Sequence, residues 1–263
     1  MGICKRRGPD AGLSFGLHRL RNQHLYDMSD GGQPMNRYLI KFTKQGLVRY
    51  TSHLDMMRLF QRAFKRGNIR LAYSSGFSPH PKISFAHPLS LGFTSSSEYL
   101  EIVCAEAGEP SAIQEALNRS LPHGIHSTRC KEIPEPGKTM ASLVRWASYR
   151  ITLPGADHPG GQQFLEYIDQ PVLIGKKRKK GSKELVDVDM KPLIHNATVV
   201  SDDASGLSLD VIVSAGSSAN LNPEVLLQSF LDSVKRGELF PVVQFERTEL
   251  HDETMISLWN IFS

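Results

Sequence analysis

A proline-rich stretch, GFSPHPKISFAHPLSLG, carries the side chains of this sequence that are best suited to holding a ligand. It runs from residue 76 to residue 92 and contains three prolines, two histidines, a lysine and three serines. Prolines fix backbone angles and withhold N–H donors, so they stiffen a surface without filling it. Alternation along KISFA places Lys82 and Ser84 on one strand face. Together with Tyr73 and Phe77, this face would suit a phosphate backbone and a stacked base.

The same stretch also has a purely structural interpretation. His80 and His87 would then hydrogen-bond locally within an ordered turn. The sequence does not decide which way these side chains face, so both interpretations stay open.

His53 is a second candidate for chemistry, because it directly follows the predicted helix cap Ser52. A helix N-terminus disfavours protonation, which would leave a neutral imidazole available as a general base. CRISPR RNA-processing endonucleases of tandem ferredoxin-like architecture use a histidine near the first helix in this way, which is an analogy at the level of the fold. The alternative, which we favour, is that His53 only caps or packs the turn.

Basic residues are concentrated in two short runs, although the net charge is only +4. The first run has five basic residues and the second has six, and neither contains an acidic residue. Local basic patches are typical of proteins that bind polyanions, while a solvated helix face and a solvated hairpin tip would explain them equally well. The runs consist of Arg58, Arg62, Lys65, Arg66 and Arg70, and of Lys176, Lys177, Arg178, Lys179, Lys180 and Lys183.

The elements that must position these residues follow the order β-α-β-β-α-β twice. SHLDMMRLFQRAFKRG predicts an amphipathic helix capped by Ser52, with Asp55 completing a capping box. Four strands are predicted around it, over RYLIKFT, PKISFAHPL, EYLEIVCAE and IHSTRCKEI. The second half repeats the pattern with a basic hairpin inserted. We therefore expect an α+β fold of tandem ferredoxin-like halves with antiparallel sheets.

This order predicts four segments along the chain. Residues 1–36 lack periodicity and are expected to be disordered, with Met1, Met28 and Met35 as alternative starts. The other segments are a first half (37–134), a second half with the basic hairpin (141–252) and a C-terminal tail (253–263), with a proline-rich linker between the halves.

Composition points to a cytoplasmic protein. The chain has 263 residues, 40% of them hydrophobic, which suffices for a sizeable core, and it shows neither a signal peptide nor a membrane span. The three cysteines have no CxxC spacing, which argues against a zinc or iron–sulfur site in this chain.

Three separated blocks resemble the radical-SAM-linked domain of unknown function, a bacterial family. They are SHLDMMRLFQRAFKRGNIRLAYSSGFSPHPKISFAHPLSLG, GKKRKKGSKELVDVDMKPLI and NLNPEVLLQSFL, and the resemblance covers about residues 36–250. It implies a partner, a cobalamin-binding radical-SAM protein that carries the iron–sulfur cluster, S-adenosylmethionine and cobalamin. This chain has no CxxxCxxC to bind such a cluster, so the resemblance implies an accessory protein without a cofactor of its own.

The resulting hypothesis is an accessory protein, more binding module than enzyme, that presents RNA to its radical-SAM partner. Two alternatives remain: a metal-independent RNA-processing endonuclease that uses His53, and a protein–protein scaffold for the radical-SAM enzyme. The predicted nucleic-acid-binding residues are Arg49, His53, Arg58, Arg62, Tyr73, Phe77, His80, Lys82, Ser84, Lys176, Lys177, Arg178, Lys179 and Lys180.

Overall fold

The strands and helices of the first half follow the predicted order β-α-β-β-α-β. A computed structural model describes residues 36–134, 137–178, 184–236 and 243–262. A 3-10 turn, Gly46–Tyr50, precedes the first helix. The elements are β1 (Asn36–Lys44), α1 (His53–Arg66), β2 (Ile83–Phe85), β3 (Thr94–Cys104), α2 (Pro110–Asn118) and β4 (Ile125–Ile133).

The second half repeats this order with one insertion. A short helix leads into it, and an inserted hairpin forms a separate two-stranded sheet before the next long strand. The elements are α3 (Met140–Leu143), β5 (Trp146–Pro154), α4 (Gly161–Ile168), β6 (Ile174–Arg178), β7 (Leu185–Asp189), β8 (Ile194–Asp203), β9 (Gly206–Ser214), α5 (Pro223–Ser233) and β10 (Gln244–His251).

The strand order confirms the tandem ferredoxin-like fold. The main sheet runs β4-β1-β3-β10-β5-β9-β8, with β2 paired to β3. Within each half, the first strand lies between the fourth and the third, and the neighbouring strands are antiparallel. The halves meet where β10 pairs with β3 in parallel, through Glu246↔Thr94 and Arg247↔Ser95. They therefore share one continuous sheet, and all the described residues belong to one compact unit.

Side-chain alternation along the strands explains how the helices pack. In β1, Tyr38, Ile40 and Phe42 are buried in one cluster together with Phe60 and Phe64 of α1. Leu39 lies on the opposite face and belongs to the other cluster. Aromatic and β-branched residues at every second position thus give β1 one apolar face, and Leu39 supplies the apolar contact on the other.

The opposite face of the first half is covered by segments that the sequence pattern treated as a linker and a tail. Arg37 donates to the carbonyl oxygens of Pro134 and Lys138, at 3.0 and 2.7 Å, and Lys131 donates to the carbonyl oxygens of Trp259 and Phe262. Leu258 is fully buried. Leu258 thus belongs to the core cluster that also contains Leu39 of β1 and most of the buried side chains of the second half.

Two predicted elements differ from the observed ones. The strand predicted over PKISFAHPL is only three residues long. Pro81 and Pro88 on either side have no N–H to donate to a ladder, and the carbonyls of His87 and Pro88 accept from Arg247 instead. In the hairpin, Lys176 pairs opposite Asp187 inside β6 rather than lying at the tip.

The remaining tip residues 179–183 lie outside the described residues, and so does the predicted disordered segment apart from its last residue, Asn36, which begins β1. None of the helices in the described ranges is long and apolar enough to cross a membrane.

Candidate nucleic-acid interface

Helix α1 positions four of the five basic residues in the first run that the sequence singled out. Ser52 caps the helix, since its hydroxyl accepts from the Asp55 amide at 3.2 Å. The Asp55 carboxylate accepts from the same hydroxyl at 2.7 Å, so the predicted reciprocal bond to the Ser52 amide is replaced by a side-chain bond. Burial of Phe60 and Phe64 fixes the rotation of the helix, and the basic face is consequently turned outward.

The basic face of α1 forms one wall of a groove with a volume of about 790 Å³. Arg70 and Tyr73 lie on the other wall, with Pro81 and Ala105 beside them. The floor is apolar, while the described lining residues include four cationic side chains and no acidic one. We call this the basic groove, and its lining residues are Arg58, Gln61, Arg62, Phe64, Lys65, Asn68, Ile69, Arg70, Leu71, Tyr73, Pro81 and Ala105.

Two of the four cations carry an ion pair with a neighbour at the groove's edge. Arg58 lies 3.2 Å from Asp55, and Arg70 lies 2.8 Å from Glu106. All four of these side chains are exposed, so the pairs are weak and can be exchanged for a ligand. The hydrogen bond from Ser52, followed by the charges of nearby arginines, holds the pKa of Asp55 below its usual value.

The central cations of the groove are Arg62 and Lys65. Over the described part of the chain, neither has a carboxylate oxygen within 4.0 Å of its nitrogens. Their charge is therefore available to an anionic ligand, which makes this the least neutralised part of the groove.

Tyr73 lines the groove at the base of a closed loop. It forms a bridge with Pro81, while the Ser74 amide donates to the His80 carbonyl at 2.8 Å and the His80 amide donates to the Ser74 hydroxyl at 3.0 Å. Phe77 lies at the tip of this loop and is fully exposed, and Tyr73 is 59% exposed. Two aromatic rings thus lie on solvent-facing positions that the backbone bonds hold in place.

The second part of the proline-rich stretch has a different role, which is to join the halves of the protein. Arg247 donates to the His87 and Pro88 carbonyls at 2.9 and 3.2 Å and forms a two-pronged ion pair with Glu98, with one N–O distance of 2.8 Å. The His87 imidazole hydrogen-bonds the Asn220 side chain, and burial lowers its pKa to about 4. This part of the stretch is therefore structural, although its partners are distant in sequence rather than local. For the exposed part, the ligand-binding interpretation stays a prediction.

A small cavity with a mixed apolar and charged lining lies between this clamp and the start of α1. It has a volume of about 20 Å³, which is room for about one water molecule. Lys44 lines it, is almost fully buried and donates to the Thr51 carbonyl at 3.1 Å. Burial lowers the pKa of Lys44, although the Glu98 charge opposes this effect.

His53 also lines this cavity, with its ring centre 5.3 Å from the Phe85 ring centre. The side chain itself is exposed. The structure therefore places His53 against an aromatic ring and beside Lys44 and His87, outside the basic groove.

Other predicted residues lie away from the groove. Arg49 is in the turn before α1, with its guanidinium 4.8 Å from the Tyr50 ring centre. Ser84 is exposed on the side of β2 opposite Phe85, which packs toward α1. Lys82 is two residues away on the same side of the chain, and it does not line the groove.

The hairpin residues form a separate location. Lys176 lies in a shallow cleft of about 540 Å³ that also contains Asp187, Glu224 and Asp232. The backbone of Lys177 and Arg178 continues β6, and Lys179 and Lys180 lie outside the described residues. The hairpin base is anchored to α5, since the Ser229 hydroxyl donates to the Ile174 carbonyl at 2.7 Å.

Sequence reasoning missed several of the residues that matter here. Lys65 and Arg70 were part of a recognised basic run but were not selected, although both line the groove. No sequence pattern pointed to Lys44, Glu98 or Arg247, because each is only a charged residue inside an otherwise alternating strand.

The described cysteines are not arranged for chemistry. Burial raises the pKa of the Cys104 thiol to about 11, and burial together with the nearby Cys104 raises that of Cys130 to about 12. Both are therefore protonated near neutral pH and poor nucleophiles. Among the residues the structure describes, no group of three or more His, Cys, Asp or Glu side chains could hold a metal ion.

Comparison with known families assigns the chain to one of them. Residues 37–223 match the family described as "Uncharacterized protein conserved in bacteria (DUF2344)", so the chain belongs to this bacterial family of unknown function. No curated protein matches the chain.

Solved structures that resemble the chain are distant from it in sequence. A Cbf5–Nop10–Gar1 complex chain is 11% identical with a TM-score of 0.48, over 86% of this chain and 53% of that one. The chain thus spans about half the length of that protein. A protein assigned as a glycine cleavage system transcriptional repressor is 11% identical with a TM-score of 0.22, over 81% of this chain and 96% of that one. Neither likeness carries an argument about function.

Proposed function

We propose that this protein binds RNA along the basic groove and presents it to a radical-SAM partner protein. The observation that carries the proposal is the groove itself, in which Arg62 and Lys65 lack acidic partners among the described residues and an exposed tyrosine lies beside them. Cations supply the sequence-independent part of RNA affinity, and aromatic side chains can stack on bases.

The partner in this proposal comes from the sequence. The three sequence blocks that resemble the radical-SAM-linked domain include all of α1, the groove segment and the loop that carries Phe77. In this scheme the partner carries the iron–sulfur cluster, S-adenosylmethionine and cobalamin, and this chain contributes substrate binding.

The test replaces the two central cations of the groove. Removing them should release fewer counterions on binding, so the double variant Arg62→Ser/Lys65→Ser should bind an RNA oligonucleotide more weakly. The slope of log affinity against log salt should flatten by about 0.7 for each phosphate that is no longer neutralised. Fluorescence anisotropy between about 50 and 200 mM salt measures both quantities.

A matched control removes the same charge elsewhere. Lys138→Ser/Lys235→Ser changes two exposed lysines that do not line the groove, and it should leave the slope close to that of the parent. If both double variants behave alike, the groove is not the binding site. If neither the parent nor the variants bind RNA, yet all retain the radical-SAM protein in a pull-down, the scaffold function replaces this one.

His53 tests the alternative of an RNA-processing enzyme. Because it lies against Phe85 and outside the groove, His53→Ala should leave RNA affinity within about two-fold, as expected for an exposed surface change. We expect no RNA cleavage by the parent protein. Metal-independent cleavage that disappears in His53→Ala would make the endonuclease the better assignment.

A further inference from the structure

The floor of the basic groove is apolar, so the groove offers a ligand more than its cations. Ile69 and Leu71 are half-buried and line the floor, with Phe64 beneath them. A duplex would present sugars, phosphates and base edges to this floor, because its base faces are stacked inside. An unpaired base offers a flat apolar face that can cover such a floor and shield it from water.

The groove is also of the wrong scale for a duplex. Its volume of about 790 Å³ falls within the range of about 300–1,000 Å³ that is typical of pockets for small molecules. Arg58 and Lys65 are seven residues apart on α1, which is about 10 Å along the helix axis. The site therefore suits a short stretch of backbone with its attached bases.

Two exposed aromatic rings lie in the groove wall and in the loop that begins there. Tyr73 is at the groove wall, and Phe77 is at the tip of the loop that begins there. Pro79 and Pro81 restrict this loop, and the paired hydrogen bonds between Ser74 and His80 close it, so less entropy is lost when it holds a ligand.

We propose that the basic groove binds single-stranded RNA, with an unpaired base stacked on Tyr73 and a neighbouring base reaching Phe77. This inference rests on the proposed function and specifies its substrate class. An acidic amphipathic peptide would also pair with the cations and cover the floor. The observations favour RNA, because the exposed Tyr73 ring lines the groove together with arginines and a second exposed ring, Phe77, lies on the adjoining loop, which suits the stacking of flat bases.

The first experiment compares three probes with the full chain. They are a single-stranded RNA without self-complementarity, the same RNA annealed to its complement, and a glutamate-rich amphipathic peptide. We expect the single strand to bind most tightly. Equal or tighter binding of the duplex would overturn this inference while leaving the proposed function intact. If neither RNA binds, this inference and the proposed function are both wrong. If only the peptide binds, the groove is a protein interface.

The second experiment removes one ring and keeps the charge. Tyr73→Leu should weaken single-strand binding about ten-fold because the stacked base loses its platform, with the salt slope unchanged. Tyr50→Leu is a matched control, because Tyr50 is 57% exposed and lies outside the groove. If Tyr73→Leu binds like the control, the stacking proposal is wrong.

A third measurement uses the unaltered protein, so it does not depend on how a variant folds. RNA containing 4-thiouridine is crosslinked by light, and the attached peptide is identified by mass spectrometry. Crosslinks should map to the segment from Leu71 to Pro81. Crosslinks confined to the hairpin or to the sheet would contradict the inference even if both RNA probes bind.

Discussion

At the scale of single residues, the proline-rich stretch separates into positions that face solvent and positions that hold the fold. Phe77 is fully exposed, whereas His87 lies beside Arg247 and hydrogen-bonds Asn220. His80 is exposed as well, so His80 and His87 have different environments although both lie next to prolines. The difference comes from β10, which is distant in sequence and reaches His87 through Arg247.

The environment of His87 predicts a dependence of stability on pH. Its pKa is about 4 when folded and about 6.5 when unfolded, so between these values the unfolded state binds more protons. The His87 contribution to stability should be complete above about pH 6.5 and decline as the pH falls towards 4, by up to about 3 kcal/mol.

Urea unfolding at several pH values measures this effect. Between about pH 6.5 and 4.5, the parent should lose more stability than His87→Gln, which lacks the titrating ring. The pKa of His251 is also lowered, mainly by burial, and its contribution is common to both proteins. Equal pH dependence in the two proteins would show that His87 is not held neutral by the fold.

At the scale of elements, α1 shows how one helix serves both the core and a surface. Its apolar side chains fix its rotation against β1, and its basic side chains then have to face the segment from Ile69 to Tyr73. The hairpin β6–β7 is different, because it pairs only with itself and rests on α5 through Ser229. Changes in the hairpin should therefore be separable from the fold of the main sheet.

This separation predicts the outcome of neutralising the hairpin. Lys177→Ser, Arg178→Ser and Lys179→Ser combined should weaken RNA binding equally for unrelated sequences and flatten the salt slope by about 0.7 per phosphate that is no longer neutralised. The free energy of unfolding should change little, by roughly 0.5 kcal/mol, because the described strands of the hairpin pair only with each other. Anisotropy titrations and urea unfolding measure the two quantities. Unchanged affinity at every salt concentration would assign the hairpin charges to solvent alone.

At the scale of the whole molecule, the junction between the halves depends on few backbone contacts. The parallel pairing of β10 with β3 involves only two residue pairs, and the clamp of Arg247 on Glu98, His87 and Pro88 lies at the same place. Arg247 is completely buried and Glu98 is nearly so. Removing one partner of such a pair leaves an uncompensated buried charge.

Replacing Arg247 with Met should therefore destabilise the protein by about 3–5 kcal/mol, which lowers the melting temperature by about 10 °C. The double variant Arg247→Met/Glu98→Leu should recover a large part of this loss, because no buried charge is left unpaired. Calorimetry measures both. If the single and double variants are equally destabilised, the role of Arg247 lies in its carbonyl hydrogen bonds rather than in the ion pair.

The sequence alone determined the order of elements and the basic face of α1. Period-two alternation predicted strands close to the observed β1 and β4, and the capping signal at Ser52 marked the start of α1. These features are local, because each depends on residues within one or two turns or on a single strand. A repeated order of such elements was sufficient to predict the tandem ferredoxin-like fold.

Only the tertiary structure decided which candidate residues share a site. Arg58, Arg62 and Tyr73 meet Lys65 and Arg70 in one groove, while Lys82, Ser84 and the hairpin lie elsewhere. The direction of each side chain depends on which strand pairs beside it and which helix packs above it, and both partners are far away in sequence. Arg247 was unpredictable for the same reason, since its partners Glu98 and His87 lie 149 and 160 residues away.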